Sequence, residues 1–393
     1  MTTTTPHASA TLLLVAGAKG AVASTLAVAV AALQQNPEWI LPDLMTADFF
    51  PYIGPPRAVR MAGWDRQKKS LSDSIKAHGV LPADLWKPYA GRIRKILVKD
   101  APQPDMALAA QVERLMQDIR EFRQSHPRTL PVFINLLPAA PQKGLRRYGS
   151  LEQILAKSGP VTSLDLPYFL AAILSGVPVV NFSPNDLEFP LLLKEAAKRG
   201  VPICGRDGKT GQTYLKVVLA SALKARKLLV DGWYSLNILG NDDGRNLMDP
   251  RRAAGKMANK TEVLEEILGY SVGARYGAPS HKVHIDYYPP RGDAKEAWDV
   301  IDFSGLFGLP MSLRLNLQGR DSVLAAPLVL DLARWMAALK LAGFAGPVPE
   351  LGFYFKKPVG EKAPVTFQDQ LTSLDRLRLA CDQRIRSREE EKA

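Results

Sequence analysis

The pattern of apolar and polar positions changes rhythm part way along the chain. The first structured stretch, TLLLVAG (11–17), is a short continuous apolar run and predicts a buried strand. AVASTLAVAVAALQQN (21–36) follows with small and apolar residues at helical spacing, so the opening predicts strand, tight turn and helix. A second, weaker cycle runs through WILPDLMTADFF (39–50). DMALAAQVERLMQDIREFRQSHP (105–127) predicts an amphipathic helix and TLPVFINLLP (129–138) the strand after it, and the segments 165–184 and 190–211 each repeat helix then strand. This alternation predicts a parallel sheet with helices on both faces.

From about Leu229 the strands become longer and more alternating or aromatic: LVDGWYSLNIL (229–239), HKVHIDYYPP (281–290) and AWDVIDFSGLFGLPMSLRLNLQG (297–319). They predict a second, partly antiparallel layer. DSVLAAPLVLDLARWMAALKLAG (321–343) and LTSLDRLRLACDQRI (371–385) return to helix. The fold class is α/β: a Rossmann-like doubly wound parallel sheet with an inserted α+β domain. Residues 10–211 form the first part of the parallel body, 212–322 the insertion, and 323–393 the return to the body with a C-terminal helix.

Composition narrows the partners. The 393 residues are 46% hydrophobic and 23% charged, ordinary for a chain with a sizeable core. The net charge of +12 admits nucleic acid, a membrane surface or an anionic small molecule. Much of it is local, in RIRKILVK (92–99) and around Lys216, Lys224, Arg226 and Lys227. No nucleic-acid motif accompanies the charge, so a basic surface without a nucleic-acid partner is expected. The polar N-terminal MTTTTPHASA lacks the basic start of a signal peptide, and no apolar run reads as long enough to span a bilayer, so no membrane partner is expected. Two cysteines, Cys204 and Cys381, make neither a disulfide framework nor a metal-ligand pattern, which suits the cytoplasm. The metal requirement stays open, because an oxygen-ligated divalent or monovalent cation leaves no clear signature.

Six stretches carry candidate chemistry. In GAKGAVAS (17–24), Gly17, Gly20 and Ala23 have the spacing of the last part of a dinucleotide fingerprint, with Lys19 between them. In GRDGKTGQT (205–213), three glycines surround Asp207, Lys209 and Thr210; the composition is that of a P-loop but the spacing is not. SLNILGNDDGRNL (235–247) crowds Asn237, Asn241, Asp242, Asp243 and Asn246 into one turn. Lys256 and Lys260 follow, sharing a face if that segment is helical, and an anion between them would relieve their repulsion. GDAK brings Asp293 and Lys295 to a turn between strands. Asp321 opens a long apolar helix, where an N-cap role competes with a functional one. In FYFKKP, Lys356 follows three aromatics, and desolvation there would lower its pKa and suit it to proton transfer.

GRDGKTGQT, SLNILGNDDGRNL, the Lys256/Lys260 pair, GDAK and RDSVLAAPLVLDL (320–332) together resemble the inositol-3-phosphate synthase family, also called myo-inositol-1-phosphate synthases; VVNFSPND (179–186) and AGWD (62–65) fit as well. The resemblance runs from about residue 10 to 360. It implies a Rossmann domain binding NAD and an inserted domain that supplies active site and homotetramer contacts. It also implies an isomerase that turns glucose 6-phosphate into 1D-myo-inositol 3-phosphate, for inositol and phospholipid biosynthesis. NAD would oxidise C5, a proton would leave C6, the enolate would close on the C1 aldehyde, and the NADH formed would reduce the ketone.

The resemblance also implies roles for residues. Thr210, Gly211, Asn241, Lys260 and Lys295 would hold the substrate phosphate. Asp243 and Lys256 would lie at the nicotinamide and the reacting carbons. Lys295 and Lys356 would stabilise oxyanions or move protons, with Asp321 orienting Lys256 or Lys356. The cofactor would be lined by Gly17, Lys19, Gly20, Ala21, Val22, Asp65, Ser183, Asp207, Thr210, Asn241, Asp242, Asp243, Asp293, Asp321 and Ser322. Asp65 would favour NAD over NADP, although Lys19 or Arg60 could pair with a 2′-phosphate. The chain departs from the family at residues 19–23, where the eukaryotic pattern has more glycines and two asparagines, at Arg206 in place of an aspartate, and at Thr210 in place of a serine. A homologous cyclase acting on another hexose phosphate, such as fructose 6-phosphate, and a non-catalytic dinucleotide-binding protein are the alternatives.

Overall fold

The computed structural model describes residues 10–35, 44–140, 146, 148–156, 163–241, 244–245, 248, 263–277 and 280–391. A seven-stranded sheet has the order β11-β6-β5-β4-β1-β2-β3. Its strands are β1 (Ala10–Ala16), β2 (Arg60–Asp65), β3 (Leu97–Asp100), β4 (Thr129–Asn135), β5 (Val179–Asn181), β6 (Pro202–Gly205) and β11 (Gly346–Pro347). Every pairing in it is parallel. The order reverses between β1 and β4, the switch point at which ligands bind in doubly wound sheets.

Both faces of this sheet are covered, and the side chains of β1 show why. Leu13 and Val15 pack into a core with the helices Ala21–Leu33 and Asp321–Leu341, while Leu12, Leu14 and Ala16 pack into a second core with Leu108–Ser125 and Leu166–Leu174. A strand buried on both sides needs a continuous apolar run, as TLLLVA provides. The second strand of the body is not the apolar stretch 39–50 expected from sequence. The described part of that stretch forms turns, and the strand is the shorter RMAGWD at 60–65.

Between β6 and β11 the chain builds a second sheet of order β10-β9-β7-β8. Here β7 is Leu229–Leu239, β8 His281–Tyr287, β9 Ala294–Ser304 and β10 Pro310–Arg320. β9 runs antiparallel to β7 and β10, and β8 parallel to β7. The helix Gly211–Ala225 lies on one face, its Val217 and Ala220 packed with Val230, Trp233 and Ile301.

The helix Asp321–Leu341 is apolar enough and long enough to cross a membrane by length and composition, contrary to the expectation that no run would be. Its apolar residues are instead buried in the core of the body. Within it the fully buried Arg334 donates from Nε to Thr46 Oγ1 (3.2 Å), from Nη1 to Gly54 O (2.6 Å) and from Nη2 to Thr46 O (3.1 Å) and Ala47 O (3.3 Å). Asp331 accepts from the Thr46 amide and hydroxyl. A planar fork satisfies carbonyls that a lysine could not reach together. Arg334→Met strands those carbonyls and a buried carboxylate, so thermal or denaturant unfolding should show a loss of about 3–5 kcal/mol; a loss below about 1 kcal/mol contradicts this role.

Candidate active site

The loop after β1 is stapled to the end of β2. The amides of Gly17 and Ala18 donate to Trp64 O, and the amide of Lys19 donates to the Asp65 carboxylate at 2.8 Å. Gly17 has φ of +81°, and a Cβ there would lie 3.1 Å from Leu136 O, so only glycine lets the chain turn this close to the end of β4. Gly20 caps the helix Ala21–Leu33 without a side-chain bond, and the first turn holds no acidic residue. Gly17, Gly20, Ala21 and Val22 therefore make an uncapped helix start at the switch point, a fit for a pyrophosphate. The Lys19 side chain is not free for that role, since its Nζ donates to Gln67 O. Arg60 binds carbonyls of 57–59 at the opposite end of β2 from Asp65, which removes it as a partner for a 2′-phosphate. Both Asp65 oxygens hold backbone amides, of Lys19 and of Gln67 (2.8 Å).

Next to this loop, the ends of β4 and β5 carry a buried polar cluster that sequence reading missed. Asn135 donates to Asp165 (2.7 Å) and Asn181 (3.0 Å), and Asn181 donates to Glu188 (2.7 Å). Asn185 donates to Asp165 (2.7 Å). Burial pushes the Asp165 carboxyl up and the Glu188 carboxyl up to about 7, with Arg206 pulling Glu188 back. The visible signal was an asparagine closing each of two apolar strands, FIN135 and VVN181. Ser183 follows, buried, and its carbonyl accepts the Asp207 amide at 3.0 Å.

The GRDGKT loop then pairs with the segment after residue 353. Arg206 and Lys357 exchange backbone bonds, the Lys356 amide donates to Asp207 O and the Lys209 amide to Tyr354 O. Lys356 Nζ donates to Asp207 Oδ1 at 2.8 Å. Lys356 thus follows a short 3-10 turn rather than a strand, and it is an ion-paired cation rather than the desolvated lysine expected. The desolvated one is Lys209. Its Nζ donates to Gly352 O (3.2 Å) and Gln370 Oε1 (2.9 Å) and lies 5.9 Å from the Phe353 ring centre. Burial alone pushes it down to about 7.

The two sheets meet at Asp321. Thr210 is the N-cap of the helix Gly211–Ala225 and makes no side-chain cap bond; its hydroxyl donates instead to Asp321 Oδ1 at 3.2 Å. Lys295 Nζ donates to Asp321 Oδ2 at 3.2 Å. Burial pushes the Asp321 carboxyl up, but Lys295, Lys356 and Thr210 together hold it below the usual carboxylate range. The helix cap is Arg320, so the N-cap reading of Asp321 fails: its carboxylate faces out of its own helix. Its bonded partners are Lys295 and Thr210; of the two lysines expected on it, Lys356 is bonded to Asp207 and Lys256 lies outside the described residues. Lys295 is also not in a turn but is the second residue of β9.

Asn241 reaches this point because glycines meet back to back. A Cβ on Gly240 would lie 2.3 Å from the Gly292 amide nitrogen. That approach lets Asn241 Nδ2 donate to Asp293 Oδ1 at 3.3 Å. Burial raises the Asp293 carboxyl, offset in part by Asn241 and Ser322. The structure therefore gathers Asp207, Thr210, Gly211, Asn241, Asp293, Lys295, Asp321, Ser322 and Lys356, and sets Gly17, Lys19, Gly20, Asp65 and Ser183 along the C-terminal edge of the parallel sheet. Asp242, Asp243, Lys256 and Lys260 lie outside the described residues. Among the described residues no group of three or more His, Cys, Asp or Glu could hold a metal.

The parallel sheet with its switch point, the uncapped helix start after β1 and the two lysines held on carboxylates define an α/β protein with a Rossmann-like body. Residues 211–322 match the family model of myo-inositol-1-phosphate synthase. Inositol-3-phosphate synthase 1 of Bacteroides thetaiotaomicron is 35% identical over 304 residues, covering 75% of this chain and 70% of that one. The inositol-3-phosphate synthase of Spirodela polyrhiza is 30% identical over 312 residues, and the match spans 72% of this chain and 60% of that longer one. The solved inositol-3-phosphate synthase of Caenorhabditis elegans shares the fold with a TM-score of 0.81 at 23% identity, over 95% of this chain and 86% of that one. A myo-inositol-1-phosphate synthase-related protein from Thermotoga maritima does so at 0.74 and 20%, over 96% and 99%. The chain belongs to the inositol-3-phosphate synthase family.

Lys209 gives a pH prediction. Its folded pKa lies below the ordinary 10.5, so between about 7 and 10.5 the unfolded chain binds the proton more readily than the folded one. Wild-type stability therefore rises with pH across that window. Lys209→Met removes the rise, so its stability relative to wild type should be greatest near pH 7 and decline towards pH 10. Parallel curves of unfolding free energy for the two proteins across this range would contradict the burial account.

Proposed function

We propose that the chain is an NAD-dependent cyclase that converts glucose 6-phosphate to 1D-myo-inositol 3-phosphate. The observation that carries the reading is Asp321, whose two oxygens hold the Thr210 hydroxyl at an uncapped helix start and the Lys295 ammonium. Family membership supports the reaction. When bound, NAD supplies the hydride acceptor and later the donor that make the reaction redox-neutral.

The chain's own groups do the rest. The Thr210 hydroxyl, the Gly211 end of its helix, Asn241 and Lys295 take the substrate phosphate; Lys260, outside the described residues, joins them on the resemblance alone. Lys356 and Lys295 are aimed before substrate arrives, because each is tethered to a carboxylate. Such preorganised cations favour an oxyanion as it forms, without reorganising at the moment of reaction. Lys356 Nζ is suited to the oxyanion of the enolate as the C6 proton leaves. Lys256 and Asp243 enter at the reacting carbons by resemblance. Asp65, a carboxylate beside the Gly17 loop, favours NAD by repelling a 2′-phosphate.

The reading extends to a homotetramer working in the cytoplasm. The number of chains and the compartment rest on the resemblance; self-association itself is supported by the edge strand β10, which leaves Met311 and Leu313 exposed, next to Leu306 and Phe307 at 78% and 88% exposure. An apolar edge of this length needs a partner. Sedimentation should give the mass of four chains; a single-chain mass contradicts it. For the activity, incubation with NAD and either glucose 6-phosphate or fructose 6-phosphate, read by phosphorus NMR, should give an inositol phosphate from the glucose ester, with NAD preferred over NADP. Turnover of the fructose ester alone would move the chain to another cyclase, and no turnover of either would overturn the reading.

A further inference from the structure

A second set of buried polar groups lies between the helix Gly211–Ala225 and the inserted sheet. Lys216 is 1% exposed. Its Nζ donates to Ser235 Oγ at 3.2 Å, lies 2.7 Å from His281 Nε2 and sits 5.0 Å from the Trp233 ring centre. The Ser235 hydroxyl in turn donates to Asp299 Oδ1, which also accepts Trp233 Nε1 at 2.8 Å. The other oxygen of Asp299 accepts Gln212 Nε2 at 2.8 Å. Burial pushes the Lys216 ammonium down to about 8, and Asp299 pulls it back up.

Packing alone does not call for these groups. A buried cation and its carboxylate, replaced together by apolar side chains of similar volume, are often matched or bettered in stability. Directional bonds do something else: they fix register. Gln212 and Lys216 are one helical turn apart and share a face. On β9, Asp299 and Lys295 are four residues apart and point to the same side of the sheet. The helix that begins at Thr210 is thus bonded to the strand that carries Lys295.

We infer that the Gln212–Asp299–Ser235–Lys216 chain is a positioning element, which sets the start of the Gly211–Ala225 helix at the spacing from Lys295 that the substrate phosphate needs. Lys216 is then a positioning residue that never touches substrate. This inference rests on the proposal that a hexose phosphate binds between Thr210 and Lys295. A misplacement of about 1 Å suffices to cost up to a hundredfold in rate, so a shifted helix shows itself in the kinetics as well as in stability.

The test compares full-length wild type, Lys216→Met and Ser235→Ala with glucose 6-phosphate and NAD, following kcat, KM and Tm. Lys216→Met leaves the buried Asp299 carboxylate without its cation and should melt below the wild-type temperature, while kcat/KM falls at least tenfold with the larger part in KM. Ser235→Ala, which removes the hydroxyl between ammonium and carboxylate, should show the same split. Should Lys216→Met fail to fold, Ser235→Ala decides alone. A lower Tm with wild-type kcat and KM in the folded variants makes the network merely structural and overturns the inference, as do wild-type values throughout. Wild-type protein that turns over no hexose phosphate removes the functional reading and this inference with it; active wild type beside unaffected variants removes this inference only.

Discussion

The site depends on one carboxylate shared between two sheets. Asp321 begins the helix that fills the core of the parallel body, yet its side chain faces the inserted sheet and takes Lys295 from β9 and Thr210 from the helix start. A partly exposed ion pair contributes little to stability on its own. Its consequence is geometric. It ties the body, the helix Gly211–Ala225 and the inserted sheet at the place where an anion would sit. Arg334, about three and a half turns further along the same helix, bonds to Thr46 and Gly54, so the element that presents Asp321 is itself held from behind.

The cations around this point sort into two kinds. Lys295 and Lys356 are charged and tethered, each on a carboxylate. Lys209 and Lys216 are almost fully buried, and their bonded partners are carbonyl, amide, hydroxyl and imidazole groups. Burial disfavours their charge, to about 7 and about 8. The first kind lies at the joint on Asp321 and Asp207, and the second holds the loop and helix behind it. Charge alone would not distinguish them; the distance to a carboxylate and the depth of burial do.

Much of this was legible in the chain. Short apolar runs alternating with helical spacing gave the parallel sheet, and the switch to alternating strands near Leu229 gave the second layer. Among the long motifs, GRDGKTGQT and GDAK carry Thr210 and Lys295, the side chains that meet at Asp321. The misreadings have physical causes. The run at 39–50 looked like a strand because it is apolar and aromatic, but the described part packs as turns against Trp335. The true strand, RMAGWD, is short and contains Gly63, whose missing side chain lets β2 lie directly on Val15. Lys209 and Lys356 could not be told apart locally. The partners of Lys209 are Gly352 and Gln370 and that of Lys356 is Asp207, each more than a hundred residues away in sequence. Taken alone, Asp321 read better as a helix cap, and only its carboxylate, bonded to Lys295 on β9 and to Thr210, shows otherwise.

The steady-state kinetics of Asp321→Asn with glucose 6-phosphate and NAD test the account most directly. The amide keeps the shape of the carboxylate but loses the charge that holds Lys295 and fixes the joint. Lys295 and the Thr210 helix start are then no longer held at a common spacing. The account predicts a raised KM, as the phosphate site loses its alignment, with kcat reduced about a hundredfold or more. A kcat within a factor of two of wild type would show that the two sheets are aligned without Asp321 and would contradict it.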